Sequence, residues 1–193
     1  LVLTIGDALA ATADGNNGGI GGDFDIEASV FIGESITVNA GGLTGNNFLR
    51  FNPDDATLFG GADSVTGGDS SDALRGNLGN DTLRGGSGND LLSGGDGLDS
   101  LEGGTGSDQI FGGNANDSID GGGGADIITA GSGGDVITLT ETTAAADQIR
   151  FTSINDGSVD IATSVAENTA DRIIGFSPAN DIIVLNRSGL GLG

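Results

Sequence analysis

Nine consecutive nonapeptides run from Leu58 to Thr138, and every one places Asp at its sixth position and an aliphatic residue at its eighth. The aspartates are Asp63, Asp72, Asp81, Asp90, Asp99, Asp108, Asp117, Asp126 and Asp135. The aliphatics are Val65, Leu74, Leu83, Leu92, Leu101, Ile110, Ile119, Ile128 and Ile137. Three central copies, 85–93, 94–102 and 103–111, match Gly-Gly-x-Gly-x-Asp-x-U-x in full, where U is aliphatic. One apolar position in nine cannot form the stripe of a helix, whose buried face recurs every three or four residues. A short strand centred on position eight, followed by a glycine-rich turn, fits the pattern.

Side chains alternate across a strand, so position eight points inward while positions seven and nine point outward. Two nonapeptides then complete one coil, and copy n stacks on copy n+2 at about 4.8 Å in the hydrogen-bonding direction. The expected fold is all-β: a right-handed parallel β-roll, or β-solenoid, with a thin aliphatic core between two parallel sheets and β-rich flanking caps. The domain reading is a flank at 1–57, the repeat array at 58–138 and a second flank at 139–193.

Turns this tight need backbone dihedrals that residues with a Cβ adopt poorly, and they must bring carbonyl oxygens close to a shared ligand. The second and fourth glycines of the better copies, Gly86, Gly88, Gly95, Gly97, Gly104, Gly106, Gly122 and Gly124, are the candidates for that task. Stacking two copies apart places like carboxylates within a few ångströms along each edge of the roll, which repels unless a cation intervenes. Ca²⁺, with six to eight oxygen ligands in flexible geometry, suits carboxylates and carbonyls; Mg²⁺ demands a stricter octahedron. Zn²⁺ and other transition metals fit poorly, because the chain has no His and no Cys.

Pairing n with n+2 allows up to about seven shared Ca²⁺ sites, the soundest between residues 85 and 111. Several copies depart from the pattern: Leu58 and Phe59 replace the first two glycines, Ser70 and Ala115 a fourth-position glycine, Asn77 a second-position one and Ala130 a first-position one. An isolated aspartate beside glycine is an ordinary solvated turn residue. Nine in strict register, with no Glu or Asn among them, point to ligation.

The chain has 28 acidic residues, six arginines and no lysine, for a net charge of −22. Seven bound Ca²⁺ would bring that to about −8, so much of the acidity belongs to the metal sites. No basic patch is present for nucleic acid, and the charge opposes docking on anionic lipid. No apolar run reaches the length of a membrane-spanning helix. The chain opens on Leu1 with no charged and apolar Sec-type leader, which fits a mature or excised fragment. The absence of Cys together with this many calcium sites favours an extracellular setting, where calcium is millimolar.

Strands are expected in the flanks at Leu1–Ile5, Phe24–Val30, Ser35–Val38, Gln148–Thr152, Val159–Ala162, Arg172–Phe176 and Ile182–Leu185. Asp54 and Ala56 sit nine residues before Asp63 and Val65, as in a degenerate extra half-coil, and Ala144 stands where the next repeat Asp would fall. Solenoid ends need caps over their strand edges; alternatively an edge is presented to a neighbouring copy. On the outer face, Arg84 beside Glu102 makes a favourable cross-strand pair.

With these residues in view, 58–138 resembles the RTX (repeats-in-toxin) family of secreted proteins. Asp171-Arg172-Ile173-Ile174-Gly175-Phe176 followed by Asp181-Ile182-Ile183-Val184-Leu185 is similar to a segment often found after such repeats. The resemblance implies a parallel β-roll in which loops two copies apart share Ca²⁺ through sixth-position carboxylates and loop carbonyls. It also implies type I export from a Gram-negative bacterium and folding outside the cell. The family spans toxins, enzymes, adhesins and surface-layer proteins. Without His, Cys, Lys or Tyr, the serine triad, His-Glu-x-x-His zinc site, cysteine nucleophile and lysine Schiff base are excluded here. A two-carboxylate glycosidase needs none of these, and no feature sets a catalytic pair apart from the ladder.

The leading expectation is therefore a secreted, non-enzymatic, calcium-binding structural unit of a surface layer, adhesin or fibre. Its partners would be calcium ions and copies of itself, end to end or side by side, with no nucleic acid and no direct membrane insertion. The alternative is a C-terminal folding and secretion module of a larger RTX toxin or enzyme.

Overall fold

In every nonapeptide the chain enters a strand just after the sixth-position aspartate, and in all but the first and last it leaves that strand at the third residue of the next copy. The computed structural model describes residues 2–6, 23–28, 37–42, 48–53, 61–140, 145–151, 158–160 and 170–185. The repeat strands are β5 (Ser64–Thr66), β6 (Ala73–Leu78), β7 (Thr82–Ser87), β8 (Leu91–Asp96), β9 (Ser100–Thr105), β10 (Gln109–Asn114), β11 (Ser118–Gly123), β12 (Ile127–Ser132) and β13 (Val136–Thr138). Four strands precede them, β1 (Val2–Gly6), β2 (Asp23–Ala28), β3 (Thr37–Gly42) and β4 (Phe48–Pro53). Four follow, β14 (Gln148–Phe151), β15 (Ser158–Asp160), β16 (Ala170–Ile174) and β17 (Ile182–Leu185). No helix occurs among the described residues.

These strands form a parallel β-solenoid of two sheets. One has nine strands in the order β1-β3-β5-β7-β9-β11-β13-β16-β15, the other eight in the order β17-β14-β12-β10-β8-β6-β4-β2. Alternate strands lie in opposite sheets, so each copy pairs with the copy two further on: Leu83 opposes Leu101, and Leu92 opposes Ile110. Between the sheets lie two facing ladders of aliphatic side chains, one from each sheet, from Leu74 and Leu83 through Ile128 and Ile137, each fully buried. Burying one such side chain contributes about 2 kcal/mol. The flanks prolong these ladders, since Val38 stacks under Val65 at one end and Ile149 over Ile128 at the other.

The strands extend further into the glycines than the periodicity predicts. They run for six residues in the central copies, burying position eight and, two residues on, the first glycine of the next copy, as in Leu83 and Gly85 of β7. Period-two alternation requires this second inward position, and in the copies that open on glycine it carries no side chain because a carboxylate occupies the space. Strand β4 is not among the expected flank strands, whereas β1, β2, β3, β14, β15, β16 and β17 each overlap one. The half-coil expected at Asp54 and Ala56 lies outside the described residues. On the outer face, Arg84 donates through Nε to Glu102 Oε2 at 3.1 Å, an exposed pair worth a few tenths of a kcal/mol.

Two departures from the glycine pattern keep the turn conformation. Asn77, at a second position, has φ of 70°, and Ala115, at a fourth position, has φ of 79°. Asn tolerates the left-handed region, but Ala pays a steric penalty there of roughly 1–2 kcal/mol. Ala115→Gly is therefore expected to raise the stability of the folded roll by about 0.5–1 kcal/mol, after allowing for the entropy glycine adds to the unfolded chain. Denaturant unfolding of the two proteins at saturating calcium measures the difference.

Candidate metal centre

The nine repeat aspartates form two columns, one along each edge of the roll, and all are buried, with none more than 6% exposed. One column holds Asp63, Asp81, Asp99, Asp117 and Asp135; the other holds Asp72, Asp90, Asp108 and Asp126. Within a column each aspartate as far as Asp117 donates its amide N–H to Oδ1 of the aspartate 18 residues on. The distances are 2.8 Å from Asp63 to Asp81, 2.7 Å from Asp72 to Asp90 and 2.8 Å from Asp90 to Asp108. The carbonyl of the same aspartate accepts from the next coil, as when Thr82 N–H donates to Asp63 O at 2.8 Å. One carboxylate oxygen is thus consumed in joining the coils.

The other oxygen is not. Oδ2 of Asp81, Asp90, Asp99, Asp108 and Asp117 is buried and accepts no hydrogen bond. In each case it lies over the first glycine of its own copy, respectively Gly76, Gly85, Gly94, Gly103 and Gly112. Beside it lies the first-position carbonyl oxygen of the next coil, from Gly94, Gly103, Gly112, Gly121 and Ala130 in turn. A Cβ on any of those first glycines would run into both oxygens. Asp72 differs, because its Oδ2 accepts the Gly68 N–H at 2.7 Å.

Of the candidate glycines from the sequence, the second-position ones, Gly86, Gly95, Gly104 and Gly122, lie near the ends of β7, β8, β9 and β11, and the fourth-position ones, Gly88, Gly97, Gly106 and Gly124, lie in the turns that follow. Gly86, Gly88, Gly95, Gly97, Gly104, Gly106, Gly122 and Gly124 all have positive φ. That conformation turns backbone carbonyls along the stack: Gly79 O faces Gly97, Gly88 O faces Gly106 and Gly104 O faces Gly122. Ser70 does not join the non-glycine residues at positive φ, so the loop of the second copy has a different shape.

Burial is the main reason that these carboxyls resist ionisation. It pushes Asp81 and Asp90 up to about 7 and Asp117 up to about 8, with neighbouring aspartates of the column adding repulsion and the amide bonds opposing it. Asp99 and Asp108 are raised for the same first reason. In the unfolded chain an aspartate titrates near 3.9. Each raised group favours the fold fully below that value, and its contribution is lost as pH rises through the folded value, 7 to 8 here. In EDTA, β-structure followed by circular dichroism is therefore expected to grow as pH falls from 8 to 5. In millimolar calcium it should be level over the same range.

A buried carboxylate oxygen without a partner is costly, and a hard cation answers it. Among the described residues no three acidic, His or Cys side chains converge on one point. An ion here would take its remaining oxygens from the backbone or from water, and carbonyls turned along the stack offer the former. The donor set is all oxygen, as Ca²⁺ prefers. Asp99→Asn keeps an acceptor for the Asp81 N–H and removes only the charge; it should raise the calcium concentration needed for folding by roughly tenfold or more, read from titration midpoints.

Sequence reasoning missed two sets of residues. Position five forms its own ladder: Leu98 N–H donates to Asn80 Oδ1 at 2.9 Å, Ser107 N–H to Asn89 Oδ1 at 2.8 Å and Gly134 N–H to Asn116 Oδ1 at 2.9 Å. The recurrence of Asn at that position was the available signal. Asp147, Asp171 and Asp181, outside the nonapeptides, also lie on the columns. Their signal was the Asp-x-aliphatic triplet that persists after the nine-residue spacing stops.

The family model of the RTX calcium-binding nonapeptide repeat matches four times, at residues 52–83, 66–101, 75–110 and 102–137. The repeat region is an RTX array folded as a parallel β-solenoid, as an RTX β-roll requires. Repeats of this family bind Ca²⁺ and are typical of secreted proteins, and the β-roll is a structural domain, not itself catalytic. Searches of curated proteins and of solved structures found no match to this chain.

Proposed function

We propose that the chain is a secreted, non-enzymatic scaffold that folds on binding calcium and serves as a structural unit of an extracellular or cell-surface assembly. The observation that carries this reading is the pair of columns of buried carboxylates whose second oxygens, from Asp81 to Asp117, are unanswered within the protein. The ligands are the nine repeat aspartates with carbonyls of the glycine loops, making up to seven sites shared between coils. Binding energy that exists only in the folded site is folding energy. Calcium of the millimolar extracellular kind then makes the fold conditional on export.

The assembly half of the reading is supported by the ends of the sheets. Every strand pairing is parallel, and among the described residues β1 and β2 stand at the ends nearer the N-terminus while β15 and β17 stand at the opposite ends. Edge strand β17 exposes Ile182 (52%) and Leu185 (54%). A second copy stacked head to tail would continue both sheets in the same direction, and such a heterologous contact propagates into a fibre. The alternative, a folding module of a larger RTX protein, is favoured by the Asp171–Leu185 segment, which is similar to those that follow RTX repeats.

Negative-stain electron microscopy of the chain in millimolar calcium is expected to show filaments or a lattice that EDTA dissolves. Strictly monomeric particles at high calcium would remove the assembly role and leave the module reading.

A further inference from the structure

Beyond the last nonapeptide the spacing is lost, yet the columns continue. Asp126 donates its amide N–H to Asp147 Oδ1 and Asp135 donates to Asp171 Oδ1, both at 2.9 Å, over separations of 21 and 36 residues where the repeats have 18. The second bond of each layer is reproduced as well: Gln148 N–H donates to Asp126 O at 2.8 Å and Arg172 N–H to Asp135 O at 2.6 Å. Two residues after each aspartate an isoleucine takes the place of position eight, Ile149 opposing Ile128 and Ile173 opposing Ile137. Asp147 and Asp171 are 1% and 0% exposed. Gly175, with φ of 86°, sits over the Leu139 carbonyl, as the repeat glycines sit over carbonyls one coil away.

One column also shows how it closes. Asp147 N–H reaches Asp181 Oδ1 at 3.4 Å, and Asp181 turns its Oδ2 onto the Ser177 N–H of its own loop at 2.6 Å. Asp72, at the other end of that column, turns its Oδ2 onto Gly68 N–H in the same manner. Among the described residues, the aspartates at both ends of this column satisfy their second oxygen locally, with Asp147 on the inner side of that closure.

We propose that Asp147 and Asp171 act as sixth-position aspartates for the non-repeat strands β14 and β16. The C-terminal segment then folds as the last coil of the roll in the same calcium-dependent step, not as an independent cap. This rests on reading the columns as calcium sites. Geometry alone is also compatible with a plain hydrogen-bonded staple, in which the amide acceptor matters and the charge does not. Asparagine separates the two, since it keeps an Oδ1 acceptor and drops the charge.

Hydrogen exchange of the full chain at pH 7.5, across a calcium titration, tests the proposal. Peptides covering 148–151 and 172–174 are expected to become protected at the calcium concentration that protects the repeat strands 82–123. In Asp171→Asn the midpoint for 172–174 should rise by roughly tenfold while 82–105 keeps its wild-type midpoint; Asp147→Asn should do the same for 148–151. Protection of 148–151 and 172–174 in EDTA, or wild-type midpoints in both variants, would overturn the proposal. If the repeat peptides themselves ignored calcium, the calcium reading would fall and this inference with it.

Discussion

Everything in this structure depends on carboxylates being buried in file along both edges of a roll. A carboxylate is among the least favourable groups to remove from water, and here one is removed every nine residues. Half of each group is satisfied by a peptide N–H of the preceding coil, at 2.8 Å for Asp63 and Asp81. That bond sets the coil-to-coil register and commits the column to continue. For Asp81, Asp90, Asp99, Asp108 and Asp117 the other half lies beside a carbonyl oxygen, a surrounding that suits a divalent cation. The first-position glycines follow from this, because Gly94 has the carboxylate of Asp99 where a side chain would be.

The hydrophobic core is the minor partner. One aliphatic per copy aligns the two sheets, and in the repeats these residues form only one ladder from each sheet. In a globular domain the core determines the fold and ionisable groups decorate it. In this roll the polar columns bear most of the constraint, and the nine inward-facing repeat aspartates account for about a third of the chain's 28 acidic residues.

Much of this was legible in the sequence because a strict period exposes its own geometry. Position six, position eight, the pairing of copy n with n+2 and the parallel sheets all follow from the register. The burial of position one did not, since a glycine run reads as a turn until one knows that the Asp81 carboxylate lies across Gly76. Nor did the amide-to-carboxylate bond, which depends on backbone direction and leaves no trace in composition. Strand β4 was hidden because its paired residues, Arg50 and Phe51, lie where no nonapeptide register marks them. Asp147 escaped because 21 residues, not 18, separate it from Asp126; the longer connection restores the column at a place the period does not predict.

The central claim is that the columns require calcium. A far-UV circular dichroism titration of the metal-free chain at pH 7.5 addresses it directly, with Mg²⁺ as the control. Calcium is expected to convert an unfolded spectrum to a β-rich one in a cooperative transition, with Mg²⁺ at equal concentration far less effective. A β-roll already formed in EDTA at that pH would contradict it.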